Sequence, residues 1–155
     1  MPKIKPGTKV PEFSLPVSGG GSWSLKDARG KKLVIYFYPR DMTSGCTRES
    51  QDFRDLSKAF AKAGAQIVGI SRDSVASHEK FVAKEKLPFA LLADTEEKVC
   101  KLFDVIREKS LYGRKYLGVD RSTFLIDADG RLSQQWRAVK VPGHAEAVLE
   151  ATQRL

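Results

Sequence analysis

The sequence is poor in the residues that usually build metal or multi-ligand sites. It has two cysteines and two histidines in 155 residues, and neither pair shows the close spacing of a zinc ligand set. Two thiols are also too few for a disulfide scaffold, so in a reducing compartment each reads as a reactive or a simply buried group. No apolar run approaches the ~20 residues that span a bilayer. The amino terminus, Met1-Pro2-Lys3-Ile4-Lys5-Pro6-Gly7, lacks the apolar core of a secretion signal, so a cytoplasmic chain with no membrane partner is expected. Acidic residues are outnumbered, 19 against 27 basic, for a net charge of +8. The lysines and arginines are scattered from Lys3 to Arg154, without a basic block or a helix-turn-helix or zinc-finger pattern. The charge therefore reads as a solvated basic surface and not as a specific nucleic-acid footprint. There is no internal repeat, and the length fits one domain over residues 1–155.

The richest chemistry lies in Tyr36-Phe37-Tyr38-Pro39-Arg40-Asp41-Met42-Thr43-Ser44-Gly45-Cys46-Thr47-Arg48-Glu49. The apolar run Leu33–Tyr38 predicts a buried strand, and Pro39 stops it. Thr43, Ser44 and Gly45 supply capping hydroxyls and a turn before a helix with Phe53, Leu56, Phe60 and Ala63 on one face, ending at Gly64. Cys46 falls in the first turn of that helix, where unpaired N–H groups and the positive helix end meet. A free thiol has a pKa of about 8.5, and a helix N-terminus with a nearby cation can bring it to roughly 3.5–7.5. Ionisation alone gains at most roughly thirtyfold in thiolate, partly offset by weaker nucleophilicity, so a fast reaction also needs donors that polarise the electrophile. Thr43 and the N–H groups of Gly45 and Cys46 are candidates, and one basic residue from elsewhere is still wanted.

The rest of the chain alternates strands and helices. After a proline-bearing lead-in over 1–12, Phe13–Leu15 reads as a short strand and Ser18–Ser22 as a turn between two short strands, with Trp23 on the core. Leu25–Ala28 reads as a helical turn, followed by the strand Lys32–Tyr38. Gln66–Ile70 is a second apolar strand, and Asp73 or Ser74 caps a helix to about Lys86 with Val75, Phe81 and Val82 inward. Phe89–Leu92 is a third strand, and Asp94 or Thr95 caps the next helix. This alternation implies parallel neighbours joined by right-handed crossovers. Asp104–Gly118, long, basic and weakly periodic, reads as a functional loop whose Arg107, Lys109, Arg114 and Lys115 raise the potential near the site. Ser122–Ile126, the turn Asp127–Gly130 and Leu132–Trp136 form a hairpin, and Pro142-Gly143 opens a last helix with Ala145, Val148 and Leu149 on one face. The expected class is α/β: a thioredoxin-like fold, with a central mixed β-sheet flanked by helices and an N-terminal short-strand extension.

Pro39-x-x-x-Thr43-x-x-Cys46 resembles the peroxiredoxin active-site signature. Phe37-Tyr38-Pro39 before it, with Glu49 and Asp52-Phe53-Arg54-Asp55 after it, resembles the peroxiredoxin Q/bacterioferritin-comigratory-protein branch. The similarity runs nearly end to end, through Pro11-x-Phe13-x-Leu15, Gly69-Ile70-Ser71-x-Asp73, Phe89-x-Leu91-Leu92-x-Asp94 and Arg121-x-x-Phe124-Leu125-Ile126-Asp127. The resemblance implies a thiol-dependent peroxidase: Cys46 attacks hydrogen peroxide or an organic hydroperoxide and becomes a sulfenic acid, with no cofactor or metal. It also implies that Arg121, just before a core strand, is the missing cation, and that Pro39 shields the thiolate and shapes the loop. Glu49 either orients Arg121 or a neighbouring arginine, or is a first-turn carboxylate that favours the helix dipole.

The chain departs from that branch in its second thiol. Many members carry a resolving cysteine five residues after the peroxidatic one, where this chain has Gln51; others carry it near Val82, where there is also none. Cys100 reads as a packed structural thiol, with a resolving role, which would demand local unfolding, as the alternative. A one-cysteine cycle is expected, recycled by an external thiol reductant such as a glutathione, glutaredoxin or thioredoxin system. The resemblance leans toward a monomer or weak dimer. A thioredoxin-type disulfide carrier would share the fold, but Glu49 stands where its second cysteine would be. A Cys–His hydrolase would need His78 or His144 beside Cys46, and both histidines read as solvent-facing or capping.

Overall fold

A computed structural model describes residues 4–155, so the first three residues of the lead-in lie outside the described residues. Strands β1 (Ser14–Pro16) and β2 (Ser22–Ser24) form a small antiparallel ribbon, followed by a 3-10 turn at Leu25–Ala28 and strand β3 (Lys32–Phe37). Helices α1 (Ser44–Asp55) and α2 (Ser57–Lys62) lead to β4 (Ala65–Ser71), α3 (Val75–Glu85), β5 (Ala90–Ala93) and α4 (Lys98–Leu102). The last elements are β6 (Ile106–Leu111), β7 (Arg114–Val119), β8 (Ser122–Ile126), β9 (Leu132–Trp136) and α5 (His144–Arg154).

The central sheet runs β5-β4-β3-β8-β9, with β3, β4 and β5 parallel and β8 and β9 antiparallel to their neighbours. This is the mixed sheet of the thioredoxin-like class anticipated from the strand–helix alternation. β3 lies in its middle because both faces of the strand are apolar. Leu33, Ile35 and Phe37 enter one core, while Val34, Tyr36 and Tyr38 enter the other, the period-two pattern of a strand covered on both sides. Among the described residues no helix is long and apolar enough to cross a membrane.

Three sequence expectations need correction. Asp104–Gly118 is not a loop: β6 and β7 pair from Ile106↔Val119 to Leu111↔Arg114 as an antiparallel hairpin. Its tip, Tyr112-Gly113, has φ of 52° and 79°, the positive pair that suits a two-residue hairpin turn. The hairpin escapes periodicity because it joins no other sheet and most of its side chains are at least partly exposed, leaving little in–out alternation to read. The helix after Cys46 is not continuous either, because α1 stops and α2 starts at Leu56. The break still leaves Phe53 and Phe60 in one core, their ring centroids 5.8 Å apart. Finally, His78 and His144 do not face solvent. His78 is fully buried, and His144, which does start α5, is buried against Thr123 with Nε2 2.8 Å from its hydroxyl. Burial, aided by the Arg121 charge, pushes the His144 pKa down to about 4.

Tyr36 couples the sheet to α1. Its ring stacks on Phe53 with centroids 4.8 Å apart, and its hydroxyl lies 2.9 Å from the Ser50 hydroxyl. The ring fits because Gly69 is its neighbour on β4: a Cβ there would stand 2.8 Å from Tyr36 Cζ and 2.7 Å from Leu91 Cδ2. Gly69→Ala should therefore destabilise the protein by about 1–3 kcal/mol through overpacking. Thermal unfolding should show a fall in Tm of roughly 3–9 °C; an unchanged Tm would mean the sheet gives way without cost.

Candidate active site

The site forms where β3 and β8 end side by side. The pair Phe37↔Ser122 sets Tyr38 and Arg121 at the same edge of the sheet. The chain then leaves β3 through Pro39 and enters α1 after a loop whose Met42 has φ of 65°. Thr43 is the N-cap, and its carbonyl accepts the Thr47 N–H at 2.8 Å, the first closed turn of the helix. Its hydroxyl does not cap the helix. It donates to the Arg40 carbonyl at 2.9 Å, which leaves its oxygen lone pairs open on an exposed side chain. Cys46 is the third residue of α1, and 1% of it is exposed.

Arg121 reaches across from the edge of β8. One guanidinium nitrogen donates to Cys46 Sγ at 3.4 Å, and the other terminal nitrogen donates to Glu49 Oε1 at 2.6 Å. The planar fork thus bridges the thiol and the carboxyl one helical turn apart. Burial works against the Arg121 charge, but Glu49 and Cys46 more than offset it, and the group is held above its ordinary range. The sequence reads Gly45 as a turn residue with a useful N–H, but the residue also makes room. Its φ is ordinary, and a Cβ there would lie 3.2 Å from the Arg121 nitrogen that meets the sulfur.

Glu49 is almost fully buried, and its Oε2 has no hydrogen-bond partner among the described residues. Burial raises its pKa to about 7, with Arg121 pulling the other way. Desolvation prevails because one oxygen of a water-excluded carboxyl is left without a donor. Of the four basic residues expected to brighten the site, Lys109 turns inward and donates to the Val119 carbonyl at 2.6 Å. Burial lowers its pKa, with Cys46 and Arg121 among the charges it feels. Arg107 instead pairs with Asp104 and Lys115 with Glu108.

Cys100 lies on the far side of the sheet. It packs in the core that holds Phe37 and Phe124, whereas Cys46 packs in the core that holds Tyr36 and Phe53. Burial and the adjacent Asp94 carboxylate push the Cys100 thiol up, and its backbone N–H is held by Asp94 Oδ2 at 2.7 Å. Neither histidine supplies a base for Cys46, since His78 is bonded to Asp41 and Leu92 and His144 to Thr123. The arrangement therefore suits a lone nucleophilic sulfur beside a fixed cation, with an open hydroxyl in the preceding loop.

Residues 6–135 match the AhpC/TSA family. The chain is 53% identical over 141 residues to a peroxiredoxin Bcp of Xanthomonas campestris, covering 90% of this chain and 88% of that one. It is 49% identical over 147 residues to a peroxiredoxin Bcp of Bacillus subtilis, covering 95% and 94%. Among solved structures, a peroxiredoxin Q of Xanthomonas campestris superposes with a TM-score of 0.88 at 51% identity, over 92% of this chain and 90% of the other. An equally similar structure of the bacterioferritin comigratory protein of that organism is described by its alkyl peroxide reduction activity.

The buried carboxyl has a consequence for stability. The folded protein holds the Glu49 proton up to about pH 7, whereas the unfolded chain, with a carboxyl near 4.5, releases it earlier. Stability should therefore fall as the pH rises from about 4.5 to about 7, by on the order of 3 kcal/mol. Glu49→Gln, which cannot titrate, should lose that part of the slope. Urea unfolding of both proteins at pH 5 and 7.5 measures it, and parallel profiles would place the carboxyl in its ordinary range.

Proposed function

This chain belongs to the AhpC/TSA family, in its peroxiredoxin Q/Bcp branch, and is a thiol-dependent peroxidase; from that premise we propose that Cys46 is the peroxidatic thiol of a one-cysteine cycle. The observation that carries the proposal is the Arg121 guanidinium shared between Cys46 Sγ and Glu49. A thiolate at Cys46 attacks one oxygen of the peroxide. Its electron pair forms the S–O bond, the O–O bond breaks, and the second oxygen leaves as water or an alcohol after taking up a proton. The sulfur is oxidised to a sulfenic acid as the peroxide is reduced. Arg121 and the N–H groups of the first helical turn stabilise the charge that develops on the departing oxygen. The Thr43 oxygen accepts the hydrogen of the incoming peroxide, while Pro39, half-buried at the strand end, limits access of water.

Recovery requires a thiol from outside the chain. It attacks the sulfenic sulfur, releases water and leaves a mixed disulfide, which a second thiol reduces. The separation of Cys46 and Cys100 into different cores supports this route over an internal disulfide, because the sulfurs would have to pass the central sheet to meet. Hydrogen peroxide and organic hydroperoxides are the proposed oxidants, the latter favoured by the alkyl peroxide activity of the Xanthomonas relative. A glutathione, glutaredoxin or thioredoxin system is the proposed reductant. The protein acts as a single cytoplasmic domain, monomeric or weakly dimeric.

The test is peroxide consumption with each reductant, joined to mass spectrometry after one equivalent of peroxide. Cys46→Ser should lose all turnover. Arg121→Gln should lower the oxidation rate by about 10²–10³, and Cys100→Ser should leave it within about threefold. A sulfenic-acid probe should label Cys46, and a Cys46–Cys100 disulfide would overturn the one-cysteine cycle.

A further inference from the structure

The loop that carries Pro39 and Thr43 is anchored by a buried polar cluster that touches neither sulfur nor the peroxide path described above. At its centre is Asp41, 6% exposed, beside the fully buried His78 of α3. His78 Nε2 lies 2.9 Å from the Leu92 carbonyl. A carbonyl only accepts, so Nε2 carries a hydrogen. Nδ1 lies 2.7 Å from Asp41 Oδ2, so imidazole and carboxyl share one further proton across that contact. Asp41 also accepts from the Ser77 hydroxyl at 2.8 Å and the Tyr38 hydroxyl at 2.5 Å. Burial holds the Tyr38 phenol well above its ordinary range, so it keeps the hydrogen it donates. The Asp41 N–H donates to Asp73 Oδ2 at 2.8 Å, and the Ser71 hydroxyl donates to the same oxygen at 2.6 Å.

Asp41, Asp73 and His78 bring ligand-type atoms within 4.8 Å of one another. Both Asp41 oxygens, both His78 nitrogens and Asp73 Oδ2 are nevertheless engaged by hydrogen bonds, which makes this a closed proton network and not a cation site. Its mechanical effect falls on the next residue. Met42 holds φ of 65°, in the left-handed region that costs a non-glycine residue about 1–2 kcal/mol. On the far side of Met42 stands Thr43, whose backbone starts α1.

We propose that the Asp41–His78 pair is a positioning device for the peroxidase reaction, fixing the Pro39–Thr43 loop so that the Thr43 hydroxyl and the first N–H groups of α1 face the oxidant at Cys46. The inference rests on the reading of Cys46 as the peroxidatic thiol. Neither residue meets the reacting atoms; both act through the loop. The relevant bond is the one from Nδ1 to Asp41, because that bond, unlike the one from Nε2, ends on the loop.

Two substitutions separate these bonds. In His78→Asn the amide nitrogen can take the place of Nδ1 and keep a donor on Asp41, giving up the bond to Leu92. In His78→Gln it can take the place of Nε2 and keep the bond to Leu92, giving up the one to Asp41. Each loses one buried hydrogen bond and part of a ring, so both should lower Tm by similar amounts. Stopped-flow oxidation of Cys46 by hydrogen peroxide should nevertheless be about tenfold slower in His78→Gln and within about threefold of the parent in His78→Asn. Tyr38→Phe, which removes one donor from Asp41 and preserves the ring, covers the case in which the histidine variants fail to fold; it should slow the same step by about fivefold or more, beyond the threefold margin allowed to His78→Asn. Equal rates in the two histidine variants, or an unaffected Tyr38→Phe where those do not fold, would overturn the inference while leaving the one-cysteine peroxidase intact. A parent protein whose Cys46 does not react with peroxide would remove both.

Discussion

The site depends on one guanidinium held between a sulfur and a carboxyl. Arg121 spends one terminal nitrogen on Cys46 and the other on Glu49, so its plane and position are fixed by two partners on the same helix. Such a contact is useful only if the side chain is rigid before the oxidant arrives, since reorganisation during the reaction would forfeit its electrostatic advantage. Rigidity comes from the sheet. Arg121 leaves the chain immediately before β8, whose first residue is paired with the last residue of β3, and β3 delivers the cysteine loop. Two strand ends held by one ladder thus lead into Arg121 on one side and the loop before Cys46 on the other. Gly45 then leaves open the space beside the nitrogen that meets the sulfur, where a Cβ would stand 3.2 Å away.

The sheet that brings these groups together also keeps the two thiols apart. Because β3 is covered on both faces, its alternating side chains separate two cores, and each receives one cysteine. On the Cys46 side, aromatic stacking from Tyr36 to Phe53 attaches the reactive helix to the sheet. On the other side, Cys100 is locked near the start of a short helix by the Asp94 carboxylate, which accepts the N–H groups of Val99 and Cys100. A thiol raised by burial and by a neighbouring negative charge is a poor nucleophile. Cys46 differs in having a guanidinium nitrogen, not a carboxylate, as its charged neighbour.

Much of this was legible in the sequence because it depended on local patterns. The run Leu33–Tyr38 predicted the central strand, the Pro39 stop and the turn at Thr43–Gly45 predicted the start of α1, although the expected Thr43 hydroxyl cap is absent, and the turn Asp127–Gly130 predicted the β8–β9 hairpin. Arg121 and Glu49 were legible only through resemblance, since nothing in the spacing from 49 to 121 announces a contact. The β6–β7 hairpin was missed because a mostly exposed ribbon has no buried face to impose a period. His78 was missed for a related reason. Its helical neighbours Glu79 and Lys80 are exposed, and the acceptors that make burial of an imidazole affordable come from β5 and the cysteine loop, which the sequence does not place beside it. Gly45 showed a turn residue, but the arginine that needs its missing side chain is distant in the chain.

A one-cysteine cycle would also fit the way the helix that carries Cys46 is tied down. An internal disulfide partner on a neighbouring helix would require the reactive helix to open so that two sulfurs could reach bonding distance. Here the position five residues after Cys46 is Gln51, whose amide donates to the Glu85 carboxylate at 2.8 Å, and Arg54 donates to the Glu85 backbone carbonyl at 2.8 Å. Both bonds tie α1 to the end of α3. They therefore oppose the opening that an internal partner would demand, and a cycle resolved by an external thiol places no such demand on them. Under that cycle the helix can remain closed through oxidation and reduction, with the cation and the loop hydroxyl still in register when the sulfur is set free.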